Sequence, residues 1–312
     1  MNNATKLSAY VAALAVVFGG AAIVGTVTGP VGKADDGGGH GGGHGAHGSH
    51  GGTAAGPALP GGLQVSQDGF TLHPQTATVR PGERTDFRFT IDGPDGRPVT
   101  GFTPLHGKRL HLIIARRDLS GFQHLHPTEV GGGVWTVPIV LPQAGAYRFF
   151  TDVQPDGAKE ALTLGVDVTA PGDYQPAPLP GPEQVAKVDG YEVRLAGALA
   201  PGKSSKLTLS VSKDGAPVTD LEPYLEAYGH LVALRQGDLA YLHVHPDGEP
   251  GDGKTKPGPD ITFYAEAPSA GTYRLYLDFQ HGGKVRTAEF TVTAGPSSGP
   301  VEQGEGHGEH TH

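Results

Sequence analysis

The chain has no cysteine, and Met1 is its only methionine among 312 residues. The lack of cysteine excludes disulfides, thiolate zinc sites, iron–sulfur clusters and the blue-copper site. The lack of an internal methionine excludes a thioether site for Cu(I). Histidine, by contrast, is plentiful at 16 residues. Any bound metal would therefore be held by imidazole and carboxylate groups, which suit Cu(II), Zn(II) or Ni(II).

Positive charge is also scarce, because the formal net charge is −9 and no long basic run occurs. Nucleic-acid binding requires clustered lysine and arginine, so no nucleic-acid partner is expected. The sequence contains no nucleophile elbow, no phosphate-binding loop and no H-E-x-x-H helix. No pair of acidic and basic side chains occurs at a sequence spacing typical of general acid–base catalysis. We therefore expect a protein that is not an enzyme.

The first 30 residues contain a long apolar run, "LSAYVAALAVVFGGAAIVGTV", from Leu7 to Val27. Its length of about 20 residues is enough to span a bilayer as a helix. A cleaved signal peptide is the alternative, with a weak cleavage motif at Gly32-Lys33-Ala34. The first interpretation predicts a single-pass membrane protein with most of the chain outside the cytoplasm. The second predicts a secreted protein.

Two glycine- and histidine-rich segments flank the rest of the chain. Residues 31–62 and 296–312 have too little side-chain surface to form a core, and we expect a flexible linker and a flexible tail. Short histidine-rich tracts are typical of metal binding, although a polar spacer is the alternative. The histidines concerned are His40, His44, His47 and His50 in the linker, and His307, His310 and His312 in the tail.

The region between these segments contains a tandem duplication. Residues 101–127 and 220–246 align without gaps and are identical at seven positions of 27. The identical pairs are Pro104/Pro223, His111/His230, Leu112/Leu231, Arg116/Arg235, His124/His243, His126/His245 and Pro127/Pro246. The duplication predicts one repeat at 63–170, a proline-rich connection at 171–184 and a second repeat at 185–295.

Each repeat is predicted to be all-β. Short runs such as "TDFRFTI", "KLTLSV" and "YRLYLDF" alternate apolar and polar residues, and clusters of glycine and proline separate them. About 105 residues with some seven short strands suggest a Greek-key sandwich of the immunoglobulin or cupredoxin kind.

The motif "HLIIARRDLSGFQHLHP" followed by "AGAYRFFTDV" resembles the YtkA-like β-sandwich modules of bacterial membrane and secreted proteins. In outline, the sandwich is also similar to cupredoxins and to small periplasmic copper-resistance chaperones. The resemblance covers both repeats, over most of 63–295. It implies an extracytoplasmic role in the handling of copper or another metal.

The histidines of the first repeat are expected to share one face of a hairpin. If His111 lies opposite His126, then Ile113 lies opposite His124, and all three imidazoles project to the same side. Such a trio suits three nitrogens around one ion. The same spacing in the second repeat predicts a second trio of His230, His243 and His245. The alternative is that these histidines are half-buried strand residues.

A carboxylate is a further candidate in each repeat. Asp152 and Asp278 occupy matching places in "FFTDVQ" and "LYLDFQ". Each is predicted to be a metal ligand or to fix the tautomer of an imidazole, with a surface aspartate as the alternative. His73, His106 and His281 lack a counterpart in the other repeat and are read as surface or loop residues.

The sequence therefore favours a membrane-anchored, extracytoplasmic protein that binds Cu(II) or Zn(II) and buffers, delivers or detoxifies the metal. The alternative is a scaffold of two immunoglobulin-like domains that holds another cell-envelope protein and keeps its histidines for packing.

Overall fold

The computed structural model of the protein describes residues 59–295, which contain β-strands and no helix. The all-β prediction and the two-fold repeat are confirmed for this part of the chain. The described residues include no helix with the length and hydropathy of a membrane span. The predicted N-terminal helix, most of the predicted linker and the predicted tail lie outside the described residues.

The first repeat is a sandwich of two sheets. One sheet has the strand order β1-β2-β3-β8-β7 and the other β10-β9-β5-β6, with β4 paired to β9. The strands are β1 Ser66–Gln67, β2 Phe70–Pro74, β3 Arg84–Asp92, β4 Phe102–Thr103, β5 Leu110–Arg116, β6 Gln123–Leu125, β7 Thr128–Glu129, β8 Val134–Val140, β9 Gly145–Pro155 and β10 Leu162–Ala170.

The second repeat is also a sandwich of two sheets. One sheet has the order β11-β12-β13-β17-β16, with β14 paired to β13, and the other has the order β15-β18-β19. The strands are β11 Val185–Val188, β12 Tyr191–Ala196, β13 Ser204–Lys213, β14 Ala216–Pro217, β15 His230–Arg235, β16 His243–Pro246, β17 Asp260–Glu266, β18 Gly271–His281 and β19 Lys284–Ala294.

Alternation along the strands builds a separate core in each sandwich. In β3, Phe87, Phe89 and Ile91 are buried at every second position, since successive side chains of a strand point to opposite faces. Phe149 of the facing sheet meets Phe87 with ring centroids 4.7 Å apart. In the second repeat, Leu207, Leu209 and Val211 of β13 face Leu275, Leu277 and Phe279 of β18 in the same way.

The strand β5 breaks this alternation, because all seven of its residues are buried. Leu112 and Ile114 belong to the core of the first sandwich. Ile113 and Ala115, on the other face, pack in a third apolar cluster whose members come from both repeats. The second face of β5 is therefore covered by the second repeat, and this junction positions the candidate site.

Candidate metal centre

The junction between the repeats has an apolar part with equivalent residues from each side. Its buried members are Ile113, Ala115, Leu119 and Phe150 of the first repeat, and Val232, Leu234, Leu239 and Tyr276 of the second. Phe122 stacks on Tyr276 with ring centroids 3.9 Å apart and an angle of 6° between the rings. The Tyr276 hydroxyl donates a hydrogen bond of 2.6 Å to the Leu119 carbonyl. The junction is thus packed like a protein core and includes an internal hydrogen bond.

Beside this apolar cluster lies a group of four histidines, His111, His124, His126 and His230. The ring centroids of the first three lie 4.9–5.4 Å from one another. The ring of His230 lies 5.5 Å from that of His111 and 4.8 Å from that of His124. Three imidazoles of the first repeat therefore meet one imidazole of the second.

The register of β5 and β6 brings the first three rings together. Ile113 pairs with His124 and Leu112 with Leu125, as the sequence predicted. In this register the next opposed positions are 111 and 126, so the three histidines project to one side of the hairpin. That side is the one that faces the second repeat.

The hydrogen bonds around His111 and His124 define which ring nitrogens carry hydrogen. His111 Nε2 lies 2.8 Å from the Leu105 carbonyl oxygen, and His124 Nδ1 lies 2.7 Å from Asp278 Oδ2. Both partners accept hydrogen bonds, so both of these nitrogens must donate. A neutral imidazole has one N–H only, so His111 Nδ1 and His124 Nε2 carry no hydrogen where both rings are neutral. These two nitrogens face each other at 3.1 Å.

Two more ring nitrogens of the group are buried without a hydrogen-bond partner in the structure, namely His126 Nε2 and His230 Nδ1. Buried polar groups without partners are rare, because each loses its hydrogen bonds to water. Burial also lowers the pKa of His111 to about 4 and that of His126 to about 3, and neighbouring histidines lower both further. Burial holds the pKa of His230 well below its usual range. These three rings are therefore neutral near pH 7, as metal ligation requires.

The spacing of the nitrogens fits one ion. His111, His124 and His230 each offer a nitrogen within 4.8 Å of the other two. A zinc–nitrogen bond of about 2.0–2.1 Å places two tetrahedral ligand nitrogens about 3.3 Å apart. The His111–His124 separation of 3.1 Å is already close to that value, and a nitrogen of His230 lies within 4.8 Å of both.

The two predicted aspartates have different surroundings. Asp278 is 2% exposed and accepts hydrogen bonds from His124 Nδ1 across the junction and from Thr287 Oγ1. It stands where a carboxylate would orient an imidazole, the second of the two roles predicted for it. Asp152 is the strand partner of His111 and accepts a hydrogen bond of 3.2 Å from Thr163 Oγ1. It is partly buried.

The structure differs from the expectation of one trio in each sandwich. His230 groups with the histidines of the first repeat. Strand β16, which carries His243 and His245, pairs with β17 of the opposite sheet, and the ladder with β15 is limited to a bridge between Leu234 and Tyr241. His245 is exposed and lies opposite Tyr264. The second repeat therefore lacks the two-stranded ribbon that gathers the first trio.

One histidine near the site was not predicted to lie there. The ring of His106 lies 5.4 Å from that of His230 and 6.2 Å from that of His111. His106 lies in a loop and has a positive φ of 47°. No pattern in the sequence predicts that its ring comes close to the other histidines. His73 is exposed beside Asp92, and His281 contacts Tyr191 and Asp220.

Seven predicted metal-binding histidines lie outside the described residues. They are His40, His44, His47 and His50 before the first repeat, and His307, His310 and His312 after the second. Their role as ligands stays a prediction.

A family profile described as "Domain of unknown function (DUF8832)" matches the chain twice, at residues 64–170 and 186–295. No curated protein matches the chain.

Among solved structures, the Escherichia coli adhesin FdeC is 16% identical, with a TM-score of 0.23, over 77% of this chain and 66% of that protein. The Yersinia pseudotuberculosis adhesin InvE is 13% identical, with a TM-score of 0.24, over 74% and 60%. A Salmonella alpha-2-macroglobulin is 14% identical, with a TM-score of 0.26, over 77% and 16%. This chain spans less than two thirds of each of them, and TM-scores this low define neither a shared site nor a shared activity.

Proposed function

The chain belongs to the DUF8832 family, whose domain it contains twice, and we propose that the pair of domains binds one transition-metal ion at its junction. The ligands are His111 and His124 of the first repeat and His230 of the second, with His126 as the fourth nitrogen. The ion is Zn(II) or Cu(II), since the site offers imidazole alone.

One observation carries this proposal: His111 Nδ1 and His124 Nε2 face each other at 3.1 Å, while the other nitrogen of each ring lies within hydrogen-bonding distance of an oxygen. Without a proton or an ion between them, two lone pairs at this distance repel. On the far side, each ring donates its N–H to an oxygen, of Leu105 and of Asp278 respectively. Metal-bound histidines typically donate their second nitrogen to a carbonyl or carboxylate in this way. The arrangement is therefore that of ligands already oriented toward an ion.

In this proposal the site serves storage or transfer of the ion and not catalysis. With His126 as a fourth ligand beside the group of three, the imidazoles would fill a tetrahedral site, whereas a catalytic zinc keeps one position open for water. We therefore propose a role that is not enzymatic, in metal buffering, delivery or resistance. In this proposal each repeat is a Greek-key sandwich of the immunoglobulin or cupredoxin kind, as the YtkA-like resemblance implies.

The proposed location is outside the cytoplasm. The apolar run at Leu7–Val27 supports a membrane anchor or, if it is cleaved, secretion. The histidine tracts on either side of the repeats would capture ions and pass them to the junction. If these tracts are flexible, as their composition predicts, ordering them on binding costs free energy, and the packed junction should hold the ion more tightly.

Calorimetry on the full chain tests this proposal. The background is a variant in which the seven tract histidines are replaced by serine, so that only the folded site is measured. We expect one Zn(II) or Cu(II) per chain, and a loss of about tenfold or more in affinity for His111→Gln or His124→Gln. His73→Gln is the matched control, because its ring is exposed and distant, and it should leave binding unchanged. Absence of tight binding in the tract-free background would end the proposal.

A second candidate function is a cell-envelope interaction scaffold, and one feature of the junction favours it. A single proton between His111 Nδ1 and His124 Nε2 would complete a hydrogen-bond chain from Leu105 to Asp278 across the two repeats. With the apolar cluster beside it, that chain could join the repeats without any ion.

The two candidates predict different results for the triple change of His111, His124 and His126 to glutamine. The scaffold predicts a large loss of melting temperature in metal-free buffer. The metal site predicts a smaller loss of melting temperature in metal-free buffer. It also predicts that added metal no longer raises the melting temperature, as it should in the wild-type protein by binding the folded state.

A further inference from the structure

Each repeat contains the same arginine–aspartate pair at one end of its sandwich. Arg116 at the end of β5 bonds to Asp118, and Arg235 at the end of β15 bonds to Asp238. In both loops, Oδ1 of the aspartate accepts a backbone N–H two residues further on, at 3.1 Å. The two loops are therefore duplicated structures with the same pair of charged groups.

In the first repeat this pair holds a segment of polypeptide. Arg116 Nη2 donates to the Gln175 carbonyl at 3.2 Å, and the Ala177 N–H donates to Asp118 Oδ2 at 2.7 Å. The guanidinium carbon of Arg116 lies 5.3 Å from the ring centroid of Tyr174. The segment covers the pair so well that the side chains of Arg116 and Asp118 are 1% and 7% exposed.

In the second repeat the equivalent pair is open. The side chains of Arg235 and Asp238 are 20% and 42% exposed. Apart from Asp238, Arg235 donates to Ser269 Oγ, also within the second repeat. Among the described residues, none takes the place that Tyr174 has in the first repeat. A Cβ added at Gly145 would lie 2.8 Å from the Tyr174 ring, whereas one at the equivalent Gly271 would meet nothing within 4 Å.

The sequence that follows the second repeat does not supply the aromatic ring. Ala170 and Ala294 are equivalent, because they are the strand partners of the equivalent glycines Gly145 and Gly271. Counting on from Ala294, the position of Tyr174 falls on Ser298, and those of Pro176 and Ala177 fall on Pro300 and Val301. The tail therefore keeps the proline and the N–H, but serine has no ring to stack on a guanidinium.

We propose that the open loop of Arg235 and Asp238 is a docking site for an extended segment of a partner protein. The segment has the form aromatic–x–Pro–x, as in Tyr174–Ala177. The aromatic ring lies on the arginine, the residue before proline gives its carbonyl to the arginine, and the residue after proline gives its N–H to the aspartate. Proline favours the extended backbone that presents both groups. This site is independent of the histidine cluster.

A peptide that copies residues 172–179, GDYQPAPL, tests the proposal by NMR titration of the isotope-labelled full chain. We expect a dissociation constant on the order of a millimolar or below, since the contacts are few. Shift changes should centre on the backbone amides of Arg235, Asp238 and Gly271. Methylation of the peptide nitrogen that corresponds to Ala177 removes one hydrogen bond to a charged group and should weaken binding roughly tenfold. Replacement of the peptide tyrosine by alanine should weaken it by about two- to fivefold.

Variants of the protein and of the peptide separate the outcomes. Asp238→Ala should abolish the shifts, and the methylated peptide gives the same test without any change to the protein. Absence of shifts at about 10 mM peptide, or shifts that methylation leaves unchanged, would overturn the proposal. Binding that is seen only when residues 296–300 are replaced by glycine and serine would show that the chain's own tail occupies the loop, and would overturn it equally.

Discussion

The buried histidines make the stability of the metal-free protein depend on pH, and His111 gives the clearest case. Its pKa is about 4 in the folded protein, because burial disfavours the charged ring, and 6.5 for an ordinary histidine. The unfolded chain therefore binds more protons than the folded chain between these values, and stability falls as the pH falls. The effect begins as the pH drops through about 6.5 and is complete below about 4.

The size of the effect follows from the difference in pKa. Each unit corresponds to about 1.4 kcal/mol, so His111 should account for about 3 kcal/mol of the free energy of unfolding lost on acidification. The ring is 2% exposed, and solvent screening is therefore small. Replacement by glutamine removes the titrating group, and the loss of stability between pH 7 and pH 4 should shrink by about that amount.

Urea denaturation in the presence of a chelator, at pH 7, 5.5 and 4, measures this difference. His73→Gln is the matched control, since the His73 side chain is 68% exposed and its replacement should leave the pH dependence unchanged. If the wild-type protein and His111→Gln lose the same free energy on acidification, His111 is not held neutral by burial, and the account of the cluster fails.

Three further perturbations test the junction and its surroundings. Asp278→Asn should lower the metal affinity 10- to 100-fold, measured by calorimetry, because the carboxylate orients His124. Phe150→Ala should lower the free energy of unfolding by about 3–5 kcal/mol in urea denaturation, since Phe150 is fully buried at the junction. Arg116→Lys should speed chymotryptic cleavage after Tyr174, because lysine lacks the planar fork that holds the segment.

Each of these predictions has a control and a contradicting result. If Asp278→Asn binds the metal within twofold of the wild-type affinity, the carboxylate does not orient a metal ligand. Val130→Ala, at a position 51% exposed, should change stability by less than about 0.5 kcal/mol. A Phe150→Ala variant as stable as Val130→Ala would contradict the packed junction. Arg80→Lys, at the surface, should leave the cleavage rate unchanged. An unchanged rate for Arg116→Lys would show that Arg116 does not hold the segment around Tyr174 in place.

The sequence was sufficient for features that depend on neighbours along the chain. Alternation of apolar residues predicted the strands. The pairing geometry of an antiparallel hairpin, in which the residue numbers of opposite positions have a constant sum, predicted that Ile113 lies opposite His124. Both follow from backbone geometry that acts over a few residues. The alignment of the two repeats also identified the right positions, since five of the eight histidines and aspartates singled out by it meet at the junction.

The sequence was not sufficient for the arrangement between repeats. The apolar run from Leu112 to Ala115 shows that β5 is covered on both faces, but no local pattern says what covers the second face. That choice rests on contacts between residues more than 100 positions apart, such as Phe122 and Tyr276. The same limitation hid the contact between His124 and Asp278, and the approach of His106 through its loop.

The position of the histidines at the junction connects metal binding to the docking of the repeats. An ion held by His111, His124 and His230 can form all its bonds only when the two sandwiches are in contact. The apolar cluster maintains this contact, because Phe122, Tyr276 and their neighbours are packed as in a core. In the proposed site the ligands would therefore be held in place before the ion arrives, and ordering them would cost little binding free energy. Such a site would require both copies of the domain, since the first copy brings His111 and His124 and the second brings His230 and Asp278.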